Sequence, residues 1–163
     1  MKLILTSISI FLALAMSRFI PHPPNFTSLI ALSFYVPVFL GIRYLPILIL
    51  SFAITDLIIG YHSGTHWTWG SILVIGLISK YFNKNINWRL SGALLGAILF
   101  FIITNFGVWA SGTYGYNIEG FIECYFLAIP FFTYSILATL FFSVIIEIIY
   151  KTYLFKFLKV KDL

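Results

Sequence analysis

Residues 90–110 carry no charged side chain, and this run constrains the fold more than any other feature of the chain. At about 1.5 Å of rise per residue a helix of that length crosses a hydrocarbon core of roughly 30 Å, and a helix satisfies its own backbone polar groups where lipid offers no partner. The run reads as a transmembrane helix. Its start carries Gly92 and Gly96, a G-x-x-x-G pair that permits close packing. Towards its end Asn105 and Trp109 stand one turn apart on one face, and a carboxamide there must find a partner in protein or water. Alone, Asn105 reads equally as interhelical glue or as a site residue.

The remainder of the chain has the same character. With 61% hydrophobic and 9% charged residues, against roughly 25% charged in a soluble domain, this is an integral membrane protein. Its 163 residues make one integral membrane domain, 1–163, with no separate soluble part. Cys124 is the single cysteine, which excludes an internal disulfide and a cysteine-based zinc cluster.

The pattern predicts an all-α membrane protein, a six-transmembrane-helix bundle with spans at 3–17, 27–41, 46–60, 67–81, 90–110 and 131–150. Lys2 followed by an apolar run and Ala13-Leu14-Ala15 has the outline of a signal peptide. The recurrence of Ser9, Ala13 and Ser17 every four residues instead favours a retained helix with a small-residue stripe for a partner helix. Pro21, Pro23 and Pro24 end this helix and stiffen the loop that follows, where Asn25 or Thr27 can cap the second helix. Asn117 can cap a short amphipathic helix at 118–129, placed at the interface or folded over the bundle and broken by Pro130 before the last span. The turn from Lys80 to Arg89 reads as a basic loop.

Six spans with both termini inside (N-in/C-in) put nine of the ten basic residues on the cytoplasmic side, leaving Arg18 outside. The net charge of +5 is thereby explained by topology, and nucleic acid is not an expected partner. Arg18, His22, Asn25, Asp56, His62, His66, Asn105 and Trp109 all fall towards the outer side. Asp56 costs about 2.5 to 3.5 kcal/mol within a span, so it needs a partner, and Arg18 is the only cation on that side. The pair either fixes the first helix against the third or lines a polar pocket. His62 and His66, four apart, suit a metal if their loop is helical, but Gly64 between them argues for a turn. Trp67, Trp69 and Trp109 read by default as an interfacial belt, with Trp109 set apart by sharing a face with Asn105. No nucleotide-binding glycine loop, H-E-x-x-H or G-x-S-x-G is present, so no enzyme activity and no cofactor are expected.

Several segments carry a family resemblance: Ser17-Arg18-Phe19-Ile20-Pro21-His22-Pro23-Pro24-Asn25-Phe26, Asp56-Leu57-Ile58-Ile59-Gly60-Tyr61-His62, Thr104-Asn105-Phe106-Gly107-Val108-Trp109, Cys124-Tyr125 and Ala128-Ile129-Pro130-Phe131-Phe132. They resemble an uncharacterised family of small bacterial membrane proteins, which in turn resembles the substrate-binding S components of energy-coupling factor (ECF) vitamin transporters. The resemblance implies a multi-pass protein of the bacterial cytoplasmic (inner) membrane that captures a vitamin-like micronutrient from outside. It also implies a partner, a transmembrane coupling protein with ATPase subunits, contacted through the small residues Ser9, Ala13 and Ser17.

The expected substrate-binding residues are therefore Arg18, His22, Asn25, Asp56, Asn105 and Trp109. Two readings compete with a micronutrient-binding or transport component. One is a transition-metal permease using His22, His62, His66 and Asp56; the other is a structural membrane subunit in which each polar residue is interhelical glue.

Overall fold

A computed structural model describes residues 2–61 and 64–161, with side chains described for residues 3–61 and 64–152. Among these residues the protein is all-helical. The helices are α1 (Lys2–Phe19), α2 (Leu29–Leu40), α3 (Leu45–Ile59), α4 (Thr65–Ile78), α5 (Ile86–Ala110), α6 (Ile118–Leu127) and α7 (Ile129–Lys161). One 3-10 turn, Ile42–Tyr44, leads into α3 and another, Ser79–Phe82, follows α4. Among the described residues three segments are long and apolar enough to cross a membrane: Ile42–Ile59, Ile86–Ala110 and Ile129–Thr152. Large apolar side chains on α7, among them Leu137, Phe141, Val144 and Ile148, lie on the outer surface, as lipid-facing residues do.

The centre of the bundle is α2, which packs against α3, α4, α5 and α7. Every residue from Leu29 to Pro37 is buried, the burial expected of a helix that is apolar on all sides. Close approach around it depends on missing side chains. A Cβ on Gly92 would meet the Phe34 ring at 2.6 Å, and one on Gly96 would meet Ile75 at 3.1 Å, so this pair admits α2 and α4 against α5.

Helix ends follow their caps, and several differ from the sequence expectation. The Asn85 side chain accepts a hydrogen bond from the Trp88 N–H at 2.9 Å, so α5 begins at Ile86 and the expected basic loop ends four residues early. Arg89 thus stands in the first turn of α5, where its Nε and Nη2 donate to Glu147 Oε1 and Oε2 of α7 at 2.6 and 2.7 Å. Pro130 does not break the short helix. The break falls at Ala128, and Pro130 occupies the first turn of α7, where its missing N–H has no partner to lose.

At α6 the Asn117 side chain accepts from the Gly120 N–H at 2.8 Å, the expected cap. The packed face is the one that carries the small residues. Gly120, Cys124 and Ala128 are buried, whereas Ile118, Ile122 and Phe126 are exposed. The small residues let α6 lie close against its neighbours, and the larger ones face outward.

Candidate functional site

The loop between α1 and α2 is built to hold its shape. Asn25 adopts φ 63°, a left-handed conformation that asparagine tolerates better than most residues, and the Phe26 N–H donates to the Pro23 carbonyl at 3.0 Å. Ser28 holds the cap position of α2 with its hydroxyl bonded to Ser17 Oγ at 2.7 Å, while the Thr27 hydroxyl, one of the two expected caps, accepts from the Leu29 N–H at 3.5 Å. Phe26 anchors the loop on α7, its ring centroid 5.9 and 6.2 Å from those of Phe141 and Phe142.

Under this loop lies a cavity of about 480 Å³, within the range of small-molecule sites. Arg18, His22, Asn25 and Asn105 all line it. Its walls are aromatic, from Phe52, Phe100, Phe101, Phe131 and Phe132, and Thr68, Thr104 and Ser135 add hydroxyls. Among the described residues no carboxylate lines it.

Arg18 reaches the cavity from the last turn of α1. Its Nη2 donates to Asp56 Oδ1 at 2.7 Å, its Nη1 donates to Thr55 Oγ1 and, at 3.3 Å, to the Phe52 carbonyl, and its Cζ lies 4.2 Å from the centre of the Phe52 ring. Asp56 itself is buried behind the guanidinium and does not line the cavity. Its second oxygen accepts from Trp69 Nε1 at 3.0 Å. Trp69 therefore turns inward rather than joining an interfacial belt, because a buried carboxylate needs every donor it can find. The signal for this partner in the sequence was only the aromatic pair Trp67 and Trp69, which reads as a belt.

His22 Nδ1 lies 2.7 Å from the Pro23 carbonyl, which can only accept, so Nδ1 carries a proton. Asn105 donates through Nδ2 to the Phe101 carbonyl at 2.7 Å, leaving its Oδ1 and second N–H for other partners. Trp109 is not at the cavity. α6 folds back beside it, with Phe121 edge-on at 5.4 Å, and the buried Trp109 Nε1 has no hydrogen-bond partner. Sharing a helix face with Asn105 did not place it at the same cavity, since α6 packs beside the last turn of α5.

The proposed metal ligands do not assemble. Asp56 is committed to Arg18 and Trp69, and among the described residues no three of His, Cys, Asp and Glu come together. His66 is exposed beside Trp67 at a neighbouring cavity, and His62 lies outside the described residues. On the α1 stripe Ser9 and Ala13 are exposed, whereas Ser17 is used internally by Ser28.

A protein-family profile matches residues 1–160. The chain belongs to DUF6580, a family of unknown function. No curated protein and no solved structure matches it.

Proposed function

We propose that this protein is a membrane substrate-binding or transport component that captures a small, ring-bearing, vitamin-like micronutrient in the cavity beneath the α1–α2 loop. The observation that carries this reading is the convergence of Arg18, His22 and Asn25 from one stretch of the chain and Asn105 from another, on one cavity with five phenylalanines in its walls. Aromatic walls suit the faces of a planar ring, and the carboxamide and imidazole suit its polar edge. A lining without carboxylates, beside a guanidinium, favours a neutral or anionic ligand over a cation.

In this reading α1 to α5 and α7 all cross the bacterial cytoplasmic membrane, both termini lie inside, and the cavity opens outward. α2 is too short to span alone, but it is enclosed by its neighbours and need not match the bilayer thickness by itself. An energising partner resembling the ECF coupling protein would dock on the exposed Ser9 and Ala13 face of α1.

The test is mass spectrometry of small molecules released from gently solubilised protein, with Asn105→Leu purified in parallel. A ring-bearing compound held by the parent and lost from Asn105→Leu supports the reading. Equal recovery of that compound from both, or no such compound from the parent, rejects it.

A further inference from the structure

The cavity under the α1–α2 loop has a neighbour. A second cavity of about 390 Å³ lies where the start of α4 faces the end of α5, and Thr68, Thr104 and Val108 line both. Along α5 the lining of the first runs from Phe100 to Val108 and that of the second from Thr104 to Ser111, so the two overlap by about one turn. Together they follow α5 from Phe100 to Ser111, about 16 Å at about 1.5 Å per residue. Gly107 sets one wall of the second chamber. A Cβ there would lie 2.2 Å from the Trp67 ring, so the bare backbone seats that ring against α5, with Phe106 edge-on to it at 5.4 Å.

The two chambers differ in chemistry. The first is walled by phenylalanines beside Arg18, whereas in the second Trp67 stands among His66 and the hydroxyls of Thr68, Thr104, Ser111 and Thr113. Among the described residues no carboxylate, lysine or arginine lines the second. Its hydroxyls keep hydrogen-bonding capacity. Thr104 donates to the Phe100 carbonyl at 2.8 Å, and Ser111, 2.9 Å from Thr113 Oγ1, donates to the Val108 carbonyl at 2.6 Å, so these oxygens can still accept. The half-buried Thr68 hydroxyl, on the border between the chambers, makes no hydrogen bond among the described residues.

We infer that the two chambers are one elongated binding site, whose ligand carries on its ring an uncharged chain bearing hydroxyl or carbonyl oxygens, with the ring under the loop and the chain beyond Thr68 and Thr104. A charged chain would leave water for a chamber without a counter-charge among its described residues, and an alkyl chain would displace water from the hydroxyls and return no hydrogen bond. Oxygens on the chain replace that water at Thr68, at Ser111 and at the His66 imidazole. The inference rests on the proposed substrate site and adds the part of the ligand that extends out of it.

The test is native mass spectrometry of the protein released from detergent micelles, which reads a small molecule carried through purification as an added mass and, on dissociation, as fragments. Thr68→Phe fills the border between the chambers, Thr68→Ala and Ser111→Ala each remove one hydroxyl, and Arg18, His22, Asn25 and Asn105 stay in place. The expected adduct is a ring that loses a neutral, oxygen-bearing chain as a fragment. Its occupancy falls about 10-fold or more in Thr68→Phe and about threefold or more in each hydroxyl variant. If Thr68→Phe does not fold, the two hydroxyl variants decide. A bare ring, a ring with a charged chain, or an adduct held as well by Thr68→Phe or by both hydroxyl variants as by the parent overturns the elongated site and leaves the ring cavity standing. A parent without a ring-bearing adduct overturns both.

Discussion

The two arginine–carboxylate pairs have nearly the same separation and burial but different surroundings. At Arg18 and Asp56 the polar groups are satisfied: Trp69 serves the second carboxylate oxygen, Thr55 and the Phe52 carbonyl serve the guanidinium, and the arginine borders a cavity that water can enter. At Arg89 and Glu147 the fork is bidentate and packed against the stacked Phe39 and Tyr150 rings, with unpartnered hydroxyls alongside. The first pair is a finished scaffold that presents one edge to a site. The second has less to fall back on if either partner is lost, because among the described residues the Arg89 side chain hydrogen-bonds only to Glu147.

The largest effect is expected at the second pair. Glu147→Ala strands the Arg89 guanidinium and should cost about 3 to 5 kcal/mol, read as a loss of thermal stability in detergent. Asp56→Ala leaves Arg18 with Thr55, the Phe52 carbonyl and cavity water, so the same measurement should show a smaller loss of about 1 to 3 kcal/mol. Equal losses would erase the contrast between the pairs.

Asn105→Leu moves the comparison from stability to binding. It should leave the melting temperature near that of the parent while weakening calorimetric binding of the co-purified ligand by about 1 to 3 kcal/mol. Trp109→Phe, which removes an unpartnered N–H away from the cavity, should change stability by no more than about 0.5 kcal/mol and leave binding untouched. A loss of binding there would bring Trp109 back into the site.

The smallest effect concerns Cys124 in α6. Burial pushes its thiol above the ordinary value, against a weaker opposing effect of the Trp109 backbone. The fold thus favours the neutral thiol, and its contribution is complete below the free-thiol value of about 8.5 and fades as pH rises through the folded one. Maleimide should therefore label the folded protein more slowly than the unfolded one at about pH 8, a gap that narrows in more alkaline buffer.

Much of the local structure was legible in the residues. Asn117 marks the start of α6, the prolines after Arg18 mark the end of α1, and the need of Asp56 for a cation pointed to Arg18, 38 residues away. The start of α5 was misplaced because a run without charge was taken to define the helix, whereas the Asn85 cap set it and carried Arg89 inside. The four-residue row of Ser135, Thr139, Ser143 and Glu147 on α7 went unread because serine and threonine are ordinary in membrane helices.

By itself the sequence determined that the chain is helical and which costly polar residues must find partners. Only the tertiary structure decided that α2 is the centre while the longer α5 and α7 lie outside it, that Trp69 turns in to Asp56, and that α6 separates Trp109 from Asn105. The reason is physical: facing lipid and facing core both call for apolar side chains, so hydropathy locates a membrane helix without saying which of its faces is buried. That choice falls to small residues such as Gly92, Gly96 and Gly120, whose missing side chains decide which helices approach and which polar groups meet.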